Sequence, residues 1–439
     1  MRSNYKRLGD YVDVVNKRNK KLEVETLLGV SIRKVLMPSI ANTIGTNMTT
    51  YKIIKRNQFA YGPVTSRNGE KISIAILDEY DEAIVSQAYT VFKIKDEKAL
   101  NPEYLMMWFR RPEFDRYARY KSHGSAREIF DWNEMLETEL PIPSIEKQQE
   151  IVKEYNVVKN RIVLNEQLNQ NLEETAQALY KHWFVDFEFP VCKESHPKLV
   201  SGSQPLGYKT AGGKMVFNEK LDKEIPVGWI VGNMEKICSI EDGDRGKNYP
   251  KTADFLDDGY CLFLNAGNVT KLGFDFSNNI YVTKERDEFL RKGKLKRKDV
   301  VLTTRGTVGN IAYYSDKLDF ENVRINSGMV ILRNPEVSYF LYTKMKSAEM
   351  RDLIINHLSG SAQPQLPITD IKRIEFPLPN KQTGLIEIFN SIVTPLQNLI
   401  DDKNLHIRYL NQLQDLLLSK MARVKEEKKI VNKQFLLCN

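Results

Sequence analysis

The feature that most limits what this chain can fold into is an internal repeat. Gly124-Ser125-Ala126 returns as Gly360-Ser361-Ala362, and Glu139-Leu140-Pro141-Ile142-Pro143 returns as Glu375-Phe376-Pro377-Leu378-Pro379, each 236 positions later. After each Glu-apolar-Pro-apolar-Pro string comes a Lys-Gln pair, Lys147-Gln148 or Lys381-Gln382, and then a long helical pattern. Upstream the match is looser: Ser86 to Phe92 resembles Asn326 to Leu332, and Tyr5 to Leu8 corresponds to the stretch from Trp229 to Met234. The offset shifts, so insertions separate the copies, and the halves share a plan rather than a surface. Self-similarity on this scale excludes a single core for 439 residues and predicts two copies of one architecture.

Each copy reads as a mixed α+β unit with a strand-heavy core. Asp299 to Thr304 and Met329 to Leu332 are β-rich runs near glycines, and Lys71 to Leu77 and Tyr89 to Ile94 read as their counterparts. Pro102 to Phe109 reads as a helix with proline in its first turn. The predicted organisation is a strand-rich unit over 1–142, a helix over 143–189, a linker rich in Gly, Ser, Pro and Lys over 190–225, a second strand-rich unit over 226–378, a second helix over 379–425 and a basic tail over 426–439.

The two helices carry seven-residue apolar stripes. In the first, Ile151, Val158, Leu172 and Leu179 run beside Tyr155, Ile162, Ala176 and Trp183, with Asn165 and Asn169 interrupting the middle. In the second, Phe389, Leu396, Leu410 and Leu417 run beside Val393, Ile400, Ile407 and Met421, with Lys403 as the interruption. Such a pattern implies a coiled-coil seam, with the polar breaks fixing register at a cost in stability. About 40 residues at 1.5 Å each make a rod about 60 Å long. Neither helix can bury its stripe alone, so the expectation is that they bury each other. A dimerisation or bundle element is the alternative for a lone coiled coil. A tandem duplication, however, reproduces within one chain the interface of a two-fold homodimer.

Composition enters as a bound on function. Sixty-five Lys and Arg against 57 Asp and Glu leave a net charge of +8, which invites a polyanionic partner without proving one. The four cysteines, Cys192, Cys238, Cys261 and Cys438, are too sparse for a disulfide scaffold and show no zinc spacing, as expected of a reduced cytoplasmic protein. The N-terminal stretch is charged and no run of about 18 apolar residues occurs, so neither secretion nor a membrane span is expected. The five histidines, His123, His182, His196, His357 and His406, are scattered, and there is no phosphate-binding G-K-[ST], no G-x-G-x-x-G after a strand and no H-E-x-x-H. No catalytic residue and no metal ligand is expected on this chain, and a binding protein is favoured over an enzyme.

Polar and basic residues cluster instead near the strands and glycines. Between Lys284 and Asp299 eight basic residues face four acidic ones and lead into Thr303-Thr304-Arg305-Gly306. Lys and Arg neutralise phosphates, Arg pairs bidentately with guanine, and Asn or Gln with adenine. The DNA-binding candidates of the second half are therefore Asn265, Asn268, Lys296, Arg297, Thr303, Thr304, Arg305, Asn326, Ser327 and Gln363. Those of the first half are Ser66, Arg67, Asn68, Ser86, Gln87 and Arg127. A solvated helix for the charge run, and ordinary turns for Asn and Ser beside Gly, are the structural alternatives.

The arrangement resembles the specificity subunit of Type I restriction-modification systems. The resemblance rests on Leu172 to Phe187 (LEETAQALYKHWFVDF), Ile225 to Trp229 (IPVGW), Lys298 to Gly309 (KDVVLTTRGTVG) and Gly360 to Pro364 (GSAQP), and it spans nearly the whole chain. The first unit departs from the pattern: Tyr61 to Arg67 only loosely echoes Thr-Arg-Gly-Thr, and Arg127 stands where the second half has Gln363. The resemblance implies two tandem target recognition domains, each reading half of a split DNA sequence, and two spacer helices pairing as an antiparallel coiled coil. It further implies two methyltransferase subunits carrying S-adenosylmethionine and two restriction subunits driven by ATP with Mg²⁺, and no cofactor on this chain. The rival expectations are a coiled-coil architectural protein that binds nucleic acid without sequence preference or not at all, and an enzyme with its own cleavage or methyl-transfer activity.

Overall fold

The computed structural model describes residues 5–39, 45–64, 71–123, 128–190, 207–246, 249–360 and 364–423. Two compact units emerge: Met1–Val163 together with Arg408–Asn439, and Leu164–Ile407.

The first unit opens with β1 (Tyr5–Arg7), β2 (Val12–Val15), β3 (Leu27–Val30), β4 (Leu36–Pro38) and β5 (Lys52–Lys55). There follow β6 (Phe59–Gly62), β7 (Ser73–Ile76), β8 (Glu82–Val85) and β9 (Thr90–Ile94). Helices α1 (Pro102–Arg110), α2 (Pro112–Lys121) and α3 (Trp132–Leu136) lead to β10 (Glu139–Pro141) and the long α4 (Ile145–Tyr180). As the sequence predicts, Pro102 takes the first turn of α1, where its missing N–H costs nothing, and Asn101 caps that turn by accepting from Tyr104 N at 3.0 Å.

The second unit contains the hairpin β11 (Met215–Asn218) and β12 (Lys223–Pro226), then β13 (Ile230–Asn233), α5 (Met234–Ile237), β14 (Ser239–Asp242) and β15 (Cys261–Leu264). A small hairpin of β16 (Val269–Thr270) and β17 (Gly273–Phe274) precedes β18 (Tyr281–Val282), α6 (Lys284–Phe289), β19 (Val300–Thr303) and β20 (Ile311–Tyr313). The unit is completed by β21 (Val323–Ile325), β22 (Met329–Arg333), α7 (Ser338–Lys346), α8 (Ala348–Asn356), α9 (Ile368–Arg373), β23 (Glu375–Leu378) and α10 (Leu385–Lys420). Residues 215–226, whose composition suggests a linker, thus form a hairpin.

The repeat is visible in strand order. The antiparallel sheet β2-β9-β6-β7 of the first unit reappears as β14-β22-β19-β20 in the second. The sheet β4-β3-β8-β5, in which β3 and β8 run parallel, reappears as β18-β15-β21 with β15 parallel to β21. The counterpart of β5 has shrunk to a single bridge between Lys294 and Arg324. β1 pairs with β10 as β13 pairs with β23. This order corrects one expectation: the counterpart of the run Asp299 to Thr304 is β6, whereas the run Lys71 to Leu77 contains β7 and corresponds to β20. All of these runs are buried on both faces, so hydrophobicity could not tell them apart.

Each unit packs its helices on one face of its antiparallel sheet. In the first, Phe59, Phe92, Leu105, Phe109 and Met135 form one core with Val152 and Tyr155 of α4 and Leu418 and Met421 at the end of α10. In the second, Tyr180, Trp183 and Phe184 pack with Phe340, Trp229, Phe376 and Phe389. Phe389 is fully buried and lies 5.1 Å from Phe184 and 5.7 Å from Trp183, ring centre to ring centre. Truncating a residue so placed to alanine costs about 3–5 kcal/mol. The aromatic stretch from Tyr180 through the turn after α4 therefore anchors that helix in the second unit.

Candidate nucleic-acid interface

Loops at the ends of the strands converge in the second unit. Thr304 and Arg305, which follow β19, both donate their backbone N–H to Gly328 O, at 2.8 and 3.1 Å. Leu366 N donates to Thr304 O at 3.0 Å, and Arg305 bridges Gln365. Asn326 N donates to Leu264 O at 2.9 Å, and Thr307 Oγ1 donates to Ala266 O at 3.3 Å. The loop after β14 closes the group: Arg245 Nη2 approaches Ser327 O at 3.4 Å. Gly306 sits at φ 74°, a conformation glycine adopts without the Cβ penalty, which turns Arg305 outward from the end of β19.

Within this group the candidates separate by what their side chains already do. Arg305 is exposed, and its guanidinium makes no hydrogen bond or ion pair among the described residues. Asn326 uses its side-chain oxygen on Gly328 N at 2.9 Å, and Asn265 uses its own on Gly267 N at 2.8 Å, and among the described residues neither amide NH₂ has an acceptor. Those NH₂ groups suit acceptors such as guanine N7 and O6 or thymine O4. Ser327 is half-buried and its backbone oxygen faces Arg245.

The other candidates are buried, already bonded or set apart from this group. Asn268 is buried, with its oxygen on Asn265 N at 3.0 Å and its NH₂ on Asp275 O and Asn278 O at 3.0 and 3.1 Å. Thr303 is fully buried, donating to Thr307 O and accepting from Asn310 N at 2.9 Å, so it shapes the loop from within. Thr304 is also buried. Lys296 and Arg297 precede β19 and lie at the opposite end of that strand from Arg305. Lys296 is exposed there, whereas Arg297 donates to Ser315 O at 2.7 Å and Phe320 O at 3.1 Å and stacks 4.5 Å from the Tyr314 ring. Gln363 lies outside the described residues.

Much of the basic run is neutralised within the fold. Arg286 pairs with Asp254, Lys294 and Arg324 both pair with the buried Asp287, and Lys292 pairs with Asp242. Arg291 lies beside Asp244, 3.9 Å from its carboxylate. Burial alone would raise the Asp244 carboxyl, but the backbone N–H groups of Arg291 and Arg245 outweigh it and hold it below its usual range.

In the first unit Ser66, Arg67, Asn68 and Arg127 lie outside the described residues, and Ser86 and Gln87 occupy the turn between β8 and β9. Ser86 accepts from Ala88 N at 3.3 Å, while Gln87 is exposed with no partner among the described residues. That turn is the counterpart of Asn326–Gly328. The paired bridges Val64–Ile129 and His123–Ile129 repeat Arg305–Gln365 and Ser359–Gln365, so Val64 stands where the second unit has Arg305. Arg245 has its counterpart too. The loop after β2 carries Lys17 and Arg18, with Arg18 Nη1 donating to Thr50 O at 2.6 Å. Nearby, Lys52 Nζ donates to Tyr89 O at 2.7 Å, and its pKa is lowered by burial and by the Arg18 charge. Sequence reasoning missed Arg245, Lys17 and Arg18, because the only signal, a basic residue just after the strand that pairs with β22 or β9, is visible only once that pairing is known.

The family model of the Type I restriction modification DNA specificity domain matches the chain twice, over residues 3–174 and 226–414. The chain belongs to this family of Type I restriction-modification specificity subunits. It is 25% identical over 322 residues to the Type I restriction enzyme MjaIX specificity subunit of Methanocaldococcus jannaschii, covering 73% of this chain and 68% of that one. With the HindI specificity subunit of Haemophilus influenzae it shares 24% identity over 418 residues, 84% of this chain and 86% of the relative. The crystal structure of the S subunit from M. genitalium aligns over 96% of both chains with a TM-score of 0.50 at 15% identity, a likeness of fold.

A specificity subunit so built uses its two long helices as a pair. In the second unit Asn169 donates to Asn404 Oδ1 at 2.8 Å while Tyr180 lies 6.0 Å from Phe389, so numbering falls along α10 as it rises along α4 and the helices are antiparallel. In the first unit Val152 and Tyr155 pack in one cluster with Leu418 and Met421. Among the seam candidates Val158, Ile162, Trp183, Phe389 and Met421 are buried, and Ile151, Leu172, Leu179, Leu396, Ile400, Leu410 and Leu417 are half-buried. Asn165, the predicted break, is fully buried, and neither atom of its amide has a hydrogen-bond partner among the described residues. Other apolar positions on the same helices face outward: Leu164, Leu168, Ile392 and Leu399 in the second unit, Val157, Leu413 and Leu416 in the first. Among the described residues no group of three or more His, Cys, Asp or Glu could hold a metal ion, and no helix is long and apolar enough to cross a membrane.

Proposed function

We propose that this specificity subunit recognises a split, asymmetric target in double-stranded DNA. The first unit reads one half-site, the second reads the other, and the α4/α10 pair sets the unread gap between them. The observation that carries this reading is one strand order presenting two different loop sets. Arg18, Val64 and Gln87 stand in one unit where Arg245, Arg305 and Asn326 stand in the other, and side chains as different in donor and acceptor pattern as Val64 and Arg305 select different base edges.

Two methyltransferase subunits, carrying S-adenosylmethionine and flipping out an adenine in each half-site, and two restriction subunits using ATP and Mg²⁺ are the proposed partners. The outward apolar positions of α4 and α10 support a protein partner along the helices, since contiguous exposed apolar surface marks such contacts. The chain supplies no reaction of its own and acts in the cytoplasm; incubated alone with DNA, Mg²⁺, ATP and S-adenosylmethionine it leaves the DNA uncut and unmethylated.

Exchange of residues 1–142 for those of a relative, followed by mapping of the methylated adenines, tests the reading. One half of the target changes and the other stays; a change in both halves would refute independent reading. Insertion of one heptad in both helices lengthens the gap and leaves the half-sites intact, and an unaltered gap removes the spacer role.

A further inference from the structure

Side-chain amides tie the long helices to backbone atoms of the two units; Gln177 of α4 donates to Thr343 O at 2.9 Å, midway along α7, and two others act at the start of a packed helix. In the second unit Asn390 of α10 accepts from the backbone N–H groups of Tyr339 and Phe340, each at 3.1 Å. These belong to the first turn of α7, whose own cap position, Val337, has no side chain able to accept them. The Asn390 NH₂ donates in turn to Glu336 O at 3.3 Å. The missing cap of α7 is thus supplied by the spacer helix.

The first unit makes the same kind of connection with a different residue. Gln148 of α4 is fully buried; its oxygen accepts from Asn101 N at 2.8 Å, and its NH₂ donates to Ala99 O and Pro143 O at 3.0 and 2.8 Å. Asn101 is the cap of α1, the counterpart of α7. In the sequence repeat Gln148 matches Gln382, whose side chain is exposed and makes no hydrogen bond among the described residues. The two units therefore reach the same juncture, the start of the first helix after the main sheet, from positions that are not repeat partners.

Apolar packing is non-directional and tolerates small slides, whereas hydrogen bonds to fixed backbone groups do not. We infer that Gln148 and Asn390 are positioning residues, fixing the axial register of each long helix against its own recognition fold and so fixing the length of the unread gap. The inference rests on the proposed split target.

The test maps methylated adenines in cells carrying the full chain with its methyltransferase partner, for the unaltered chain and for Asn390→Ala, Asn390→Asp and Gln148→Leu. The unaltered chain is expected to mark its half-sites at a single gap. Asn390→Ala and Gln148→Leu mark the same half-sites with about a tenfold rise at gaps one base pair longer or shorter, equivalent to about 1.4 kcal/mol. Asn390→Asp, which keeps the acceptor for both N–H groups, retains the single gap. Variants that lose marking at all sites together, with lower Tm and an unchanged gap, make the amides ordinary stabilising groups and overturn the inference, as does an Asn390→Asp that behaves like Asn390→Ala. A target without a gap in the unaltered chain defeats the proposed function and the inference with it, and is recognised because it appears before any substitution.

Discussion

Gly243 lies so close to Asn326 that a Cβ on the glycine would fall 2.1 Å from the Asn326 carbonyl oxygen. This contact holds the loop after β14, which carries Arg245, against the turn between β21 and β22. Gly293 approaches from the other side, where a Cβ would sit 3.0 Å from the Gly243 Cα. Backbone thus meets backbone, and no rotamer change can relieve an added methyl.

Gly243→Ala is therefore expected to push the two loops apart, at about 1–3 kcal/mol of the stability of the second unit. Recognition of the second half-site should be lost while the first is still read. Footprinting on target DNA, with protection retained over one half-site only, checks this; full protection of both would show that the loops need not touch.

Arg305→Ala and Arg297→Ala separate a proposed reading residue from a structural one. Arg305 projects with a guanidinium that has no partner among the described residues, so its loss costs about 1–3 kcal/mol in affinity and relaxes preference at one base of one half-site. Arg297 is spent on Ser315 O and Phe320 O, so its loss lowers the Tm of the second unit and leaves base preference intact. Competition binding with singly substituted targets distinguishes the two, and a common response would erase the assignment.

The sequence announced the duplication and the coiled-coil stripes because both rest on side-chain type at a fixed spacing. Glu139 and Glu375 mark equivalent strands, and Leu172 and Leu410 equivalent turns of helix. Strand correspondence was harder to read: β6, β7, β19 and β20 are all short and buried, and only hydrogen-bond order shows that β6 matches β19. A candidate reading position could be named where it follows a motif, as at Arg305, and was hidden where it depends on strand pairing, as at Arg245 and Arg18. Asn268 and Thr303 show the converse limit, since polar residues beside glycine look alike whether they face DNA or brace a loop.

Asn165 is a buried amide without a hydrogen-bond partner among the described residues, and removal of such a group is favourable because its desolvation is uncompensated. Asn165→Leu should raise stability by about 1–3 kcal/mol, measured by urea denaturation. If the asparagine serves to hold register, the stabilised variant will also tolerate gap lengths that the unaltered chain rejects. A destabilised variant would mean that the side chain is satisfied in solution.

Lys344 gives the second unit a pH dependence of known sign. Its ammonium lies 3.6 Å from the centre of the Phe376 ring, with the Tyr180 hydroxyl at 3.1 Å as hydrogen-bond partner. Burial pushes its pKa down from 10.5 to about 8, against the opposing attraction of Glu349. Below pH 8 the folded unit keeps the proton and bears the full cost, relative to the unfolded chain, of holding the charge in a buried site. Between pH 8 and 10.5 the unfolded chain keeps a proton that the folded unit has released, so this contribution to stability improves as pH rises through that window. The cost is about 3 kcal/mol at neutral pH. Lys344→Met, with similar length and no charge, should be the more stable protein at pH 7, and its advantage should shrink steadily toward pH 10. Denaturation of both proteins across that range, followed by tryptophan fluorescence near Trp229, provides the measurement; an advantage independent of pH would mean that the lysine remains protonated in the folded unit.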